Sequence, residues 1–321
     1  MSTTALTIPG QRTQAIQRAQ PLLSVLYWEL RRFRASRQFV LQALGFFCLS
    51  LFVVWAGHSD IGIDTPTFPF SGSVANTSPW GILARMPGGA MLLLGLMLPF
   101  VNAEGVTRDL SRRTHELLMT TALPSWAYVW GRYLVGLVMS LGLALLMLAA
   151  ILGLGLGWHL ITPAYPLPAI GGVLLLWVGM VVSATVLLSS LSFALGTVFP
   201  RQANLVKIVI LLGWFVGALI LPAIGGLPSD RSTPPAWYVA WDPTSAATSF
   251  GTTPQYFSAF QNLIATATST AQAQQIFITV ENTVPNVSAW FAPHLIEALL
   301  SLLLVALAAV AFQRFRNAFG A

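Results

Sequence analysis

Six charges fall between Glu104 and Glu116: those two carboxylates together with Arg108, Asp109, Arg112 and Arg113. Side chains of these types at this spacing can pair, cap and dock. Glu104 and Arg108 form an i,i+4 pair if the chain is helical there. Thr114 suits an N-cap, and Glu116 suits the first turn, where a carboxylate meets the positive end of a helix. Leu117 and Leu118 give this short helix an apolar side that runs on towards Thr121. Pro124 stops it and Ser125 can cap the helix that follows. The expected product is a compact helix with apolar knobs between charged flanks. Leu117 and Leu118 would fill a hydrophobic recess on a partner, with Arg112, Arg113 and Glu116 setting the register.

Bond-making chemistry has no comparable signal. There is no HExxH, no GxSxG and no pair of intramembrane aspartates. The GxxxxGK[ST] loop is missing too, and with it the backbone amides and Lys that would cradle a nucleotide. His58, His115, His159 and His294 share no metal-ligand spacing. Cys48 is the single cysteine, a small packing residue that excludes an intrachain disulfide. Glu297, one turn into the last apolar run, is a candidate for a substrate path together with Glu104, because intramembrane acids face bundle interiors or water. The competing reading is a hydrated interfacial acid beside His294, and both stay open. The chain is expected to be no enzyme and to hold no cofactor or metal of its own.

What must position these residues is a membrane bundle. The chain is 55% hydrophobic and 8% charged, where soluble domains carry roughly 25% charged residues. Roughly 20 apolar residues cross a bilayer as a helix. Runs of that kind occupy 39–57, 87–106, 128–157, 169–199, 205–224 and 293–312. The expected fold is an all-α membrane protein with six transmembrane helices. The third and fourth runs exceed bilayer thickness, so they tilt or project. With both termini in the cytoplasm, all of the 16 Lys and Arg except Arg85 and Arg231 face inward, as the positive-inside rule requires. The net charge of +6 is spread along span ends, which argues against a nucleic-acid partner.

The flanking segments divide accordingly. Residues 1–38 form a polar tail and an amphipathic elbow helix, without a signal-peptide pattern. In the elbow Leu23, Leu26, Leu30 and Phe33 recur at helical spacing, with Arg32 on the opposite side. Arg31, Arg32, Arg34 and Arg37 crowd the approach to the membrane, so the helix is expected in the inner headgroup layer, basic side towards anionic lipid. Residues 39–225 hold five spans and the charged helix at about 107–124. A large outer loop covers 226–292, where Thr253-Pro254 reads as a helix start before Tyr256, Phe257, Phe260, Leu263 and Ile264. Within that helix Tyr256, Phe260 and Leu263 should be shielded, and Gln255 and Gln261 exposed. Residues 293–321 are the sixth span and a basic tail. Asn76-Thr77-Ser78 and Asn286-Val287-Ser288 match the glycosylation triplet.

The stretch Glu104, Arg112-Arg113-Thr114, Glu116-Leu117-Leu118, Pro124-Ser125 and Gly131-Arg132 resembles that of ABC type-2 permeases, the membrane subunits of bacterial export-type ABC transporters. Arg113 stands where that family usually has Gly, and Arg132 where it has Lys. Glu29-Leu30-Arg31, at the head of Glu29, Arg31, Arg32 and Arg34, resembles the family's connecting helix. Residues 201–205 resemble its second cytoplasmic turn and 312–316 its basic end. The resemblance implies a plasma (inner) membrane location and a homo- or heterodimer of permeases. It also implies two separate ATP-binding cassette subunits carrying ATP and Mg, on which Arg108, Arg112, Arg113, Thr114, Glu116, Leu117, Leu118, Thr121 and Pro124 would dock. Two rivals stand beside it: a non-transport scaffold of the same architecture, and a secondary transporter, for which broken-helix repeats are wanting.

Overall fold

A chain in lipid must satisfy its backbone hydrogen bonds within itself, and the long apolar runs here do so as helices. The computed structural model describes residues 21–56, 59–64, 69–85, 88–105, 123–162, 165–220 and 234–319. In chain order the elements are α1 (Pro21–Ala35), α2 (Arg37–Ala56), β1 (Ser59–Asp64), β2 (Pro69–Val74), α3 (Pro79–Arg85) and α4 (Ala90–Asn102). Then come α5 (Ser125–Ile161), α6 (Ile170–Val198), α7 (Pro200–Ile220), α8 (Ala236–Trp241), α9 (Ala246–Ile264), α10 (Thr270–Glu281) and α11 (Phe291–Phe319).

Five of these, α2, α5, α6, α7 and α11, are long and apolar enough to cross a membrane, so this is a helical, multi-pass membrane protein. The expected second span appears as α4, whose 13 residues cover about 20 Å, short of the roughly 30 Å hydrocarbon layer. α5, at 37 residues, is the reverse case and projects well beyond that layer.

The all-α expectation needs one amendment. β1 and β2 pair as an antiparallel ribbon, with Ser59 opposite Val74 and Asp64 opposite Pro69. Ile61 and Ile63 alternate with Asp60, Gly62 and Asp64 in β1, the period of a strand.

α6 lies at the centre, packed on α4, α5, α7 and α11. Leu94 and Leu98 of α4, Met147 of α5 and Leu176, Met180 and Leu188 of α6 are fully buried between them. Two π-helical segments, Trp177–Val182 in α6 and Val216–Ile220 in α7, interrupt the regular winding.

Three expectations about the flanks are corrected. α9 begins at Ala246, so Pro254 lies inside it rather than at its start. Phe260 is buried as expected, its ring 5.2 Å from that of Phe277 on α10, and Ile264 is buried with it, but Leu263 is 47% exposed. The side chains of Gln255, Tyr256 and Phe257 lie outside the described residues. In α1, Leu23 faces outward while Val25 and Leu22 pack against Gly131. Arg32 shares the inward side with Glu29, to which it is hydrogen-bonded. Asn76 is buried and its Nδ2 donates to Val54 O at 2.7 Å, which leaves no room for a glycan, whereas Asn286 is exposed.

Candidate functional site

The charged segment joins α4 to α5, so the site is read from the residues at its two ends. Arg108, Arg112, Arg113, Thr114, Glu116, Leu117, Leu118 and Thr121 lie outside the described residues. At the far end Pro124, not Ser125, holds the N-cap of α5. Its extended backbone turns the chain, and its carbonyl accepts from Ala127 and Tyr128 at 3.1 and 3.2 Å.

Two turns into α5, Arg132 reaches three elements. Its Nη2 lies 3.0 Å from Glu29 Oε1 on α1, with the two side chains only 8% and 12% exposed. Its Nη1 donates to Gly105 O at the exit of α4. Its guanidinium also stacks 4.7 Å from the Tyr128 ring. A guanidinium suits this position because its planar fork serves several acceptors at once. The preceding residue makes the approach possible: a Cβ on Gly131 would come within 2.6 Å of Val25 Cγ1 on α1. Arg32 completes the cluster at 3.0 Å from Glu29 Oε2. Arg31 lies over the Trp28 ring instead, and Arg34 is exposed.

Glu104, just past α4, pairs with Lys207 Nζ on α7. Lys207 is 6% exposed at its side chain and also donates to Asn204 Oδ1 at 3.3 Å, beneath the Phe100 ring. Gly196 of α6 sits against the Ala103 carbonyl so closely that a Cβ there would collide with it. The exit of α4 is thus held by α5, α6 and α7, with α1 joined to it through Arg132.

Deeper in the bundle a second polar layer joins the same helices. Asn102 Nδ2 donates to Leu98 O, to Ser140 Oγ at 2.9 Å and to Ser189 Oγ at 3.3 Å. Tyr133 Oη and Ser190 Oγ are 2.8 Å apart, and Ser301 Oγ donates to Ser190 Oγ at 3.0 Å. In lipid such contacts act as glue between helices. A cleft of about 660 Å³ opens beside the charged cluster, lined among others by Arg32, Ser36, Gln42, Phe100 and Glu104.

Glu297 is not part of this assembly. It is half-buried near the start of α11, by the π segment of α6, whereas Glu104 lies by the other end of α6 at Gly196. Seventeen residues of helix separate Gly179 from Gly196, about 25 Å. His294 is buried with Nδ1 3.3 Å from Gly179 O, and it makes no ion pair with Glu297 among the described residues. No group of three or more metal-ligating side chains occurs among the described residues.

Lys207, Asn102, Tyr133 and Ser190 had no role on sequence grounds beyond charge counting. A lone Lys in an apolar run was the one available signal. Neither a protein-family model nor a curated protein matches this chain.

Proposed function

We propose that this chain is the permease subunit of an ATP-driven ABC exporter of a bacterial inner membrane, with α4 as the second of six spans and both termini cytoplasmic. It works as a dimer with two separate ATP-binding cassette subunits, which bind ATP and Mg. One observation carries the reading: Arg132 ties Glu29 of α1 to Gly105 O, where the chain leaves α4 for the charged segment. A push on the segment 106–122 would therefore reach the connecting helix and three spans at once. Closure of the partners around ATP would move that segment, shift α4 and α5, and open a path at the dimer interface.

The docking surface in this reading is Leu117 and Leu118, with Arg112, Arg113 and Glu116 at its rim. Each buried Leu stabilises such a contact by about 1.5–3 kcal/mol. The test is co-expression of the full chain with each ATP-binding cassette protein of the source genome. Wild type should co-purify with one such ATPase, and Leu117→Asp/Leu118→Asp should lose it at unchanged membrane yield. Full ATPase binding and stimulated turnover by the double variant would overturn the proposal. An ATPase that binds but drives no transport in vesicles would favour a scaffold.

A further inference from the structure

A glutamate without a cation partner sits where two elements of the loop regions meet. Glu281, the last residue of α10, is fully buried. Its Oε1 accepts the backbone N–H of Ala75 at 2.9 Å, and its Oε2 is buried with no donor. None of the ion pairs between described residues includes it. A single N–H does not offset the desolvation of a full carboxylate, so the group enters such a place neutral.

The turn it grips is a junction. Ala75, Asn76, Thr77 and Ser78 are all buried, and each serves a different element. Ala75 N–H donates to Glu281. Asn76 Nδ2 donates to Val54 O near the end of α2. Thr77 Oγ1 lies 2.9 Å from Tyr165 Oη in the α5–α6 connection. Ser78 Oγ accepts Gly81 N–H in the first turn of α3 at 3.0 Å. Thr77 also seats on α5, where a Cβ on Gly155 would come within 2.9 Å of its Cβ. On the other side of the contact, α10 is followed within nine residues by α11. Trp80 Nε1 donates to Thr283 Oγ1 at 3.2 Å, a second link between the same two sides.

We propose that Glu281 is a proton-operated latch, which holds α10 and the chain leading into α11 against the 75–78 turn while its carboxyl is protonated and releases them when the proton leaves to solvent. A neutral carboxyl has an O–H to donate, whereas a carboxylate only accepts. Asn76 Oδ1, on the turn, is a buried acceptor without a donor, so ionisation leaves acceptor-only oxygens on both sides of the contact.

Among the described side chains none forms an ion pair with Glu281. Tyr165 faces it from the α5–α6 connection, and burial, with a smaller contribution from the Glu281 charge, pushes its hydroxyl up to about 12. It stays neutral throughout. His159 Nδ1 lies 2.7 Å from Tyr165 O. The strand β2 has no ionisable side chain, and in β1 Asp60 stands opposite Ser73. Arg85 is at the far end of α3, about 9 Å along the axis from Pro79, and Tyr256 is the titratable residue of α9.

Burial pushes the Glu281 carboxyl up to about 8, against the lowering effect of the Ala75 N–H. The docked state thus binds its proton more tightly than the released state. Docking is strongest below the ordinary value of 4.5 and weakens as pH rises through about 8. Within that window each pH unit favours release by up to about tenfold.

Hydrogen exchange on the full chain in lipid nanodiscs tests the latch. Amide protection across 271–282 is followed from pH 6 to 9 in EDTA, after division by intrinsic rates. Wild type should lose about tenfold or more protection between pH 6 and 8, and Glu281→Gln should show no such slope. Thr283→Ala should lower protection while keeping the slope. A flat wild-type profile, equal slopes in wild type and Glu281→Gln, or protection restored at high pH by calcium would overturn the proposal. Glu281→Met, apolar and of similar length, takes the place of the Gln variant if that does not accumulate.

Discussion

Glu29 and Arg132 meet at 3.0 Å on facing sides of α1 and α5, with both side chains almost out of solvent. Their contact explains why a glycine precedes the arginine. Gly131 lets the backbone of α5 come up to Val25, and this approach brings Glu29 within reach of the guanidinium. Because Arg132 also holds Gly105 O, the pair fixes α1 to the chain leaving α4. A basic elbow that merely anchored the protein to lipid would need no such inward carboxylate.

Truncating either partner should therefore cost more than an exposed ion pair does. Arg132→Ala leaves Glu29 with Arg32 as its remaining partner and should destabilise the protein by about 2 kcal/mol, below the scale for leaving a buried charge unpaired. Glu29→Ala should cost less, because Arg132 keeps Gly105 O and the Tyr128 ring. The double variant should recover at least about 1 kcal/mol of the summed losses in a thermal unfolding cycle. Strict additivity would mean that the two side chains act separately.

The long helices follow directly from the apolar runs: the fourth, expected over 169–199, forms as Ile170–Val198. Elsewhere distant contacts overrule local chemistry. Thr253-Pro254 carries a start signal, yet α9 runs through it. The missing proline N–H is tolerated there, and Thr253 Oγ1 bonds back to Ser249 O at 2.7 Å. In α1 helical spacing places Leu26, Leu30 and Phe33 on the half-buried side but not Leu23, since the packing against Gly131 selects Leu22 and Val25. For Glu104 the sequence offers Arg108 one turn on, and a lone Lys in an apolar run does not reveal that Lys207 is its partner. That pairing depends on how α7 crosses the exit of α4, which periodicity does not encode. The burial of Glu281 is hidden for the same reason, since it depends on a turn about two hundred residues earlier.

Close approach makes a contrast between two glycines. An added Cβ at Gly196 would strike the carbonyl of Ala103, a backbone atom that cannot rotate away, whereas Gly213 has nothing within 4 Å. Gly196→Ala should push α4 from α6 and lower stability by about 1–3 kcal/mol. Gly213→Ala should be neutral or stabilising by up to about 1 kcal/mol, from helix propensity alone. Thermal unfolding in lipid would report both, and equal effects would show that the α4–α6 contact yields freely.

The corner before α9 stores strain that can be relieved. Ser245 has φ 58, and its Oγ is buried without a partner. The Asp242 carboxylate holds the corner, accepting Thr244 N–H at 3.0 Å, Thr244 Oγ1 at 2.7 Å and Ala247 N–H at 2.6 Å. Ser245→Gly should raise stability by up to about 1 kcal/mol, because glycine adopts positive φ without the Cβ penalty. Asp242→Ala should lose about 2 kcal/mol, as at a strong N-cap. Melting points in the order Ser245→Gly, wild type, Asp242→Ala are expected, and a destabilising glycine would contradict the strain.

The number of crossings decides which residues face which side, and α4 is the helix in question because it is short. If six helices cross with both termini inside, Ser111 faces the cytoplasm while Ser229 and Thr270 face out. If α4 does not cross, every later segment changes sides, so 111 becomes external and 229 and 270 internal. The distribution of basic residues favours six, since five would put Arg108, Arg112, Arg113 and Arg132 outside. Single cysteines at 111, 229 and 270, each with Cys48→Ser to remove the exposed native thiol of α2, separate the two arrangements. A membrane-impermeant maleimide added to intact cells should modify 229 and 270, and reach 111 only after the membrane is opened. The inverse pattern would remove α4 from the list of spans and place the charged segment beyond the reach of any cytoplasmic ATPase.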